Sequence, residues 1–207
     1  MLLRLVIAAV TSYFLGNHNG AICVSLMMGD DVRSHGSGNA GLTNFIRSYG
    51  SGRAVLVVLI DAGKAFLACV LSGLLLEPLG YGLRGKMLGG LFVLLGHIYP
   101  ALQGFRGGKG VLSGWFIAWT VDWRIGILVG VIFFAAYFAT RYVSLGSVLG
   151  VATFGAGFVY FYHDDLWVCL SAVLMSLLCI FAHRGNIQRL IKGQERKTHL
   201  FSKGKMQ

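Results

Sequence analysis

AVLVVLIDAGKAFLACVLSGLLL, residues 54–76, runs for 23 residues with Asp61 and Lys64 as its only charged side chains. As a helix rising about 1.5 Å per residue it reaches roughly 34 Å, enough to cross a bilayer with some tilt. An uncompensated ion at the bilayer centre costs about 2.5–3.5 kcal/mol on insertion scales, but opposite charges three residues apart share a helix face and can pair. The stretch therefore reads as a membrane span carrying a structural ion pair inside a bundle.

The sequence on either side repeats the pattern. The chain has 207 residues, of which 56% are hydrophobic and 13% charged, with a mean hydropathy of +0.69. That is too apolar for a soluble domain and predicts an all-α, polytopic membrane helix bundle. Further spans are expected at Leu2–Met28, interrupted by Gly16-Asn17-His18-Asn19-Gly20, and at Met87–Leu102, Val111–Val121, Ile125–Phe138, Val143–Tyr162 and Leu166–Ala182. Together they make about seven transmembrane helices, with Val111–Val121 the shortest. The apolar run resumes after Gly20, so the N-terminus reads as a span and not as a removable signal peptide. Residues 1–193 are expected to form one transmembrane domain and 194–207 a basic cytoplasmic tail.

Charge tests the topology. The net charge is +10, yet the cations gather between spans and in the tail, not over a solvated face, which argues against a nucleic-acid partner. With seven spans, Arg33, Arg47, Arg53, Arg106, Lys109, Arg141 and the tail cations from Arg184 to Lys205 share one side. The other side keeps Arg4, Arg84, Lys86 and Arg124, offset by Glu77, Asp122, Asp164 and Asp165. The positive-inside rule then puts the N-terminus outside and the C-terminus in the cytoplasm. Without a crossing at Val111–Val121, Arg141 and the tail would change sides, so the charges support it. Cys23, Cys69, Cys169 and Cys179 lack CxxC or metal-ligand spacing and read as packing residues.

Four polar segments fall on the cytoplasmic side: HGSGNAGLTNFIR (35–47), LGHIYPALQGFRGGKGVLSG (95–114), TRYVSLGS (140–147) and HRGNIQR (183–189). They supply Arg47, Arg106, Lys109, Arg141, His183 and Arg184, the hydroxyls Ser37, Thr43, Ser144 and Ser147, the amides Asn39 and Asn186, and glycine backbone. None contains Asp or Glu. Cations, hydroxyls and backbone N–H groups without a nearby carboxylate suit a phosphate dianion, whereas zinc or magnesium would want carboxylates or a His/Cys cluster. Each segment taken alone could be a connector or a membrane-flanking anchor; convergence on one face points to a shared site.

Known nucleotide motifs do not account for these segments. Gly36, Gly38 and Gly41 match G-x-G-x-x-G, but helix-length apolar runs flank them where a dinucleotide fold needs a strand. GFRGGKG departs from a P-loop at Gln103 and Gly110.

GSGNAGLTNFIRSYG, GHIYPALQGFRGGKG, RYVSLGS and HRGNIQRLIKG, in this order, resemble the signature segments of the bacterial acyl-phosphate-dependent glycerol-3-phosphate acyltransferases. The likeness runs from about Asp30 to Lys192. It implies a multi-pass enzyme of the bacterial cytoplasmic (inner) membrane, with its active site facing the cytoplasm and residues 1–193 as the acyltransferase domain. The implied reaction moves a fatty acyl group from a long-chain acyl phosphate to the sn-1 hydroxyl of glycerol 3-phosphate, giving lysophosphatidic acid and phosphate. By similarity, Ser37, Arg47, Lys109, His183 and Asn186 are the catalytic candidates. Gly36, Gly38, Asn39, Thr43, Gly107, Gly108, Ser144 and Ser147 are the candidates for binding substrate and phosphate. No metal or cofactor is implied; the partners are the two substrates, membrane lipids and the enzyme that supplies acyl phosphate.

The H-x-x-x-x-D pair of the other large acyltransferase class is absent, since no histidine has an acid five residues on. The proton acceptor stays open between His183 and the acyl phosphate itself. Departures from the family pattern are Gly185 where HREN is usual, and Ala40 and Leu42 within GSGNPGATN. His18, in the first span, reads as a satisfied buried polar residue. Lys64 has a second reading in which it reaches toward substrate phosphate. A transporter of a phosphorylated solute is the alternative function, although no internal repeat supports it.

Overall fold

The structure, a computed structural model, describes residues 1–198. Among these residues there are ten α-helices and no strand: α1 (Leu2–Asn17), α2 (Gly20–Met27), α3 (Leu42–Tyr49), α4 (Ala54–Leu76), α5 (Gly82–Ile98), α6 (Val111–Val121), α7 (Trp123–Thr140), α8 (Val143–Phe161), α9 (Leu166–Ala182) and α10 (Arg184–Ile191). Four helical stretches are long and apolar enough to cross a membrane: Ala54–Leu79, Gly82–Gln103, Trp123–Thr140 and Val143–Phe161. α9 qualifies when taken with α10, from which a 59° bend separates it, while α1 and α6 are apolar but shorter.

The bundle is apolar on its outer surface and buries charged side chains within it. Along α4, Val55, Leu59 and Leu74 are more than 60% exposed, whereas Asp61 and Lys64 are buried at 2% and 5%. That inversion suits lipid as solvent, because backbone groups are satisfied within helices and outward leucines meet hydrocarbon. Without a hydrophobic force between helices, association rests on close packing of small residues. α5 lies between α1 and α4: Gly96 meets the α1 backbone, while Gly85 and Gly89 meet the backbone of α4 at Ser72 and Ala68.

The expected run Leu2–Met28 is two helices. Asn19 stops the first from continuing, because its side-chain oxygen accepts from Ile22 N at 3.2 Å and caps α2. Asn17 and Asn19 point inward at this break, and His18 points out: it is exposed, which corrects its reading as a buried residue. The third span starts at Gly82, five residues before the expected Met87, because Arg84 and Lys86 lie within the helix. Hydropathy misses such residues, whose long side chains reach outward; Arg84 Nε donates to Asp165 at 3.0 Å. The same helix ends at Ile98, where Tyr99 precedes Pro100 and is driven out of the α region.

Two helices were not expected. α3 carries Leu42, Phe45, Ile46 and Tyr49 on one face, packed on the cluster around Ile22 and Val57. α10 continues from the bend at His183.

Candidate active site

The first loop is organised from below by Asn44. This buried side chain accepts from Ser37 N at 2.9 Å and donates to the carbonyls of Val32 and His35, both at 3.0 Å. Gly36 and Gly38 take φ of +58° and +69°, a left-handed backbone that glycine adopts without strain. With that turn set, Gly36, Ser37, Gly38, Asn39, Thr43 and Arg47 all line one cavity. Asn44 is not among the sequence candidates, because its role depends on the short helix α3, which apolar length does not predict.

Lys109 reaches the same cavity from the loop before α6. Its ammonium donates to Asn186 Oδ1 on α10. Gly107 and Gly108 lie behind it, outside the cavity lining. Their N–H groups are already engaged, donating to Ile98 O at 3.2 Å and His97 O at 3.1 Å. A side chain at Gly107 would put Cβ 2.1 Å from His97 O, so close backbone approach is what this glycine provides. Arg106 is exposed and Arg141 does not line the cavity.

The start of α8 contributes Ser144 and Ser147. Ser147 Oγ donates to Val143 O at 2.8 Å within its own helix. Ser144 is buried, and its hydroxyl helps to stabilise the charged Glu195 carboxylate.

His183 occupies the bend between α9 and α10. Its Nδ1 lies 2.8 Å from Cys179 O. A carbonyl can only accept, so Nδ1 carries the hydrogen and Nε2 keeps its lone pair. Burial pushes this imidazole down to about 4, with Lys109 adding to the effect and the Cys179 carbonyl opposing it. His183 is therefore neutral at pH 7 and offers an acceptor.

The tail brings an acid to a site expected to have none. Residues 194–198 fold back so that Glu195 and Arg196 line the cavity, where Glu195 Oε1 accepts from Asn186 Nδ2 and Oε2 from Arg189 Nε, each at 2.7 Å. Burial would raise the Glu195 carboxyl, but the bonds from Asn186, Arg189 and Ser144 outweigh it and hold the group below its usual range. Asn186 is thereby oriented, its amide nitrogen on Glu195 and its oxygen on Lys109. Thr198 is buried against Arg47, Tyr137 and the Arg141 carbonyl. The rest of the predicted tail, 199–207, lies outside the described residues.

Lys109 is pushed down to about 8, first by burial and then by Arg189 and Arg47, with Glu195 opposing. Around it the cavity measures about 900 Å³. Its polar end holds Arg47, Lys109, Ser144, His183 and Asn186, and it continues into an apolar trough lined by Trp115, Val129, Phe134, Val151, Phe154 and Met175. Among the described residues no group of three or more His, Cys, Asp or Glu side chains could hold a metal ion.

Comparison with known proteins agrees along nearly the whole chain. Residues 6–193 match the sequence model described as glycerol-3-phosphate acyltransferase. A glycerol-3-phosphate acyltransferase of Finegoldia magna is 36% identical over 200 residues, covering 94% of this chain and 96% of the relative. One from Thermosipho melanesiensis is 38% identical over 204 residues, covering 95% and 98%. The crystal structure of PlsY (YgiH), an integral membrane glycerol 3-phosphate acyltransferase, in its glycerol 3-phosphate form superposes with a TM-score of 0.85 at 28% identity, over 96% of this chain and 99% of that one. Its lysophosphatidic acid form gives 0.81.

Proposed function

The chain belongs to the glycerol-3-phosphate acyltransferase family and is an integral membrane acyltransferase, and from that premise we propose how its cavity performs the transfer. The observation that carries the reading is the continuity of a cationic, hydroxyl-lined end with an apolar trough. One end suits phosphate and the other a fatty chain.

The acyl donor is a long-chain acyl phosphate, with its chain along Trp115, Phe134, Val151 and Phe154 and its phosphate at Lys109. Glycerol 3-phosphate enters from the cytoplasmic side, its phosphate held by Arg47, Thr43 and Ser37 with the backbone of Gly36 and Gly38 and the amide of Asn39. Ser144 and Ser147, which both line the cavity, supply further hydroxyl donors to phosphate. The sn-1 oxygen attacks the acyl carbonyl carbon, and the C–O bond to phosphate breaks as the new ester forms. Lys109 neutralises charge on the leaving phosphate, with Asn186 fixing where its ammonium stands. Neutral His183 accepts a hydrogen bond from the attacking hydroxyl through Nε2 and orients it. With that imidazole near 4, the departing phosphate is the better final proton acceptor. A mixed anhydride has a good leaving group, so positioning and charge neutralisation supply most of the catalysis.

Seven crossings, with the N-terminus outside and the C-terminus in the cytoplasm, follow from the positive-inside charges. They put this site on the cytoplasmic face of the bacterial inner membrane, where the enzyme that makes acyl phosphate is the natural partner. The transport alternative has no support in a family of acyltransferases.

Purified protein in lipid, given labelled glycerol 3-phosphate, is expected to form lysophosphatidic acid with acyl phosphate and none with acyl-CoA. Turnover with acyl-CoA alone overturns the donor assignment. Asn44→Ala removes three hydrogen bonds beneath the first loop. At about 0.5–1.5 kcal/mol each when lost, it is expected to raise KM for glycerol 3-phosphate by roughly tenfold or more, read by steady-state kinetics at saturating acyl phosphate.

A further inference from the structure

Below the two loops, Asp61 and Lys64 do more than neutralise each other. Lys64 Nζ lies 2.8 Å from Asp61 Oδ1 and 2.8 Å from His97 Nδ1. The carbonyls of Gly16 and His18, at 3.3 and 3.1 Å across the break between α1 and α2, share its third hydrogen. An ammonium offers only hydrogens, so His97 Nδ1 must present its lone pair to Lys64 and carries no proton. Asp61 Oδ1, at 3.5 Å from the same nitrogen, is the weaker competitor. The ring proton of the neutral imidazole therefore sits on Nε2.

Nε2 faces Gly108. A Cβ added there would stand 2.3 Å from Nε2 and 2.6 Å from Ala40 O. Ala40 O accepts from Asn19 Nδ2 at 3.0 Å, and Gly108 N donates to His97 O at 3.1 Å. The His97 ring is thus wedged between the turn that carries Lys109 and the loop that carries Ser37 and Asn39, and it lines the cavity. Asp61 completes the frame by accepting from Gly20 N at 3.0 Å.

We propose that Asp61 and Lys64 are positioning residues for acyl transfer: they hold His97 as its Nε2–H tautomer, which seats the Gly107–Lys109 turn against the first loop and sets Lys109 on the acyl phosphate. The inference rests on the reaction proposed above. A pair that only balances its own charge makes a different forecast. Replacing both members of a buried ion pair by neutral side chains is often harmless or stabilising, so Asp61→Asn/Lys64→Met would then fold and keep wild-type turnover.

Positioning instead requires that the double variant fold, with thermal unfolding near wild type, while kcat/KM for acyl phosphate falls at least tenfold and KM for glycerol 3-phosphate stays within about twofold. His97→Gln spares the ion pair and is the second variant; it is expected to show the same loss confined to the acyl donor. Histidine ¹⁵N NMR of the wild-type protein in nanodiscs, with His97→Gln to assign the signal, is expected to show protonated Nε2 and bare Nδ1. A protonated Nδ1, or wild-type kinetics in a folded double variant or in His97→Gln, overturns the proposal. Wild-type turnover is measured first: its absence with every acyl donor sinks the reaction itself, whereas an active wild type with active variants sinks only the positioning role.

Discussion

Lys109→Ala is expected to lower kcat/KM for acyl phosphate by about 10²–10³-fold, the usual effect of removing one preorganised donor aimed at developing charge. Burial makes this ammonium effective, because a charge taken out of water acts through a lower dielectric. Burial also makes it titratable in an accessible range, at about 8. An amine is charged below its pKa and neutral above it. In the free enzyme Lys109 is therefore charged at pH 7 and loses its proton as pH rises through about 8. The expected profile of log kcat/KM is level near pH 7 and falls on the alkaline side with a slope approaching one. Bound phosphate favours the charged form, so the same limb in kcat moves to higher pH. Lys109→Arg keeps a permanent charge in a bulkier, planar group. It is expected to run slower at pH 7 and to lose the alkaline limb. A wild-type limb that persists in Lys109→Arg would assign the titration to another group.

Much of this site was legible before any coordinates. Apolar length located the helices at 54–76, 111–121 and 166–182 to the residue, since a helix facing lipid is covered by apolar side chains along its length. The acid-free polar segments delivered Arg47, Lys109, Ser144, His183 and Asn186 to one cavity. What escaped were residues whose chemistry depends on a neighbour far away in sequence. His97 sits inside an apolar span and acquires meaning from Lys64, 33 residues earlier. Glu195 stands in a basic tail and looks like one charge among many until the chain turns back onto Asn186 and Arg189. Gly107 and Gly108 are candidates for phosphate binding only through the family resemblance. Here their N–H groups are engaged behind the cavity by the end of α5. Spacing cannot separate a glycine that offers its amide from one that admits a neighbouring backbone.

Gly96→Val is expected to leave little or no folded protein, because the substitution strikes where α1 and α5 touch backbone to backbone. A Cβ at Gly96 would fall 2.0 Å from Tyr13 O and 3.0 Å from Gly16 Cα. The clash is reciprocal, since a Cβ at Gly16 would lie 2.3 Å from Val93 O. Neither helix can yield by rotating a side chain, and separating them breaks the bonds around the contact. Tyr13 Oη donates to Tyr99 O at 2.8 Å and accepts from Ala101 N at 3.2 Å, while Asn17 Oδ1 accepts from Leu102 N at 2.9 Å. Overpacking a well-filled core costs about 1–3 kcal/mol, and more where only backbone can move; lipid adds no hydrophobic force to hold the pair together. Gly63→Ala is the matched control: it lies in α4 with no atom within 4 Å of an added Cβ. It is expected to be neutral, or stabilising by up to about 1 kcal/mol through helix propensity. Gel filtration in detergent and thermal unfolding of both variants decide the point. The milder Gly96→Ala should reveal the link to function, because the shifted α1 leads directly into Asn19, the cap of α2, whose side chain holds the Ala40 carbonyl of the first loop. Its activity should fail at temperatures where the bundle is still folded. A variant that loses activity only as it unfolds would mean that the α1–α5 contact supports the bundle without shaping the site.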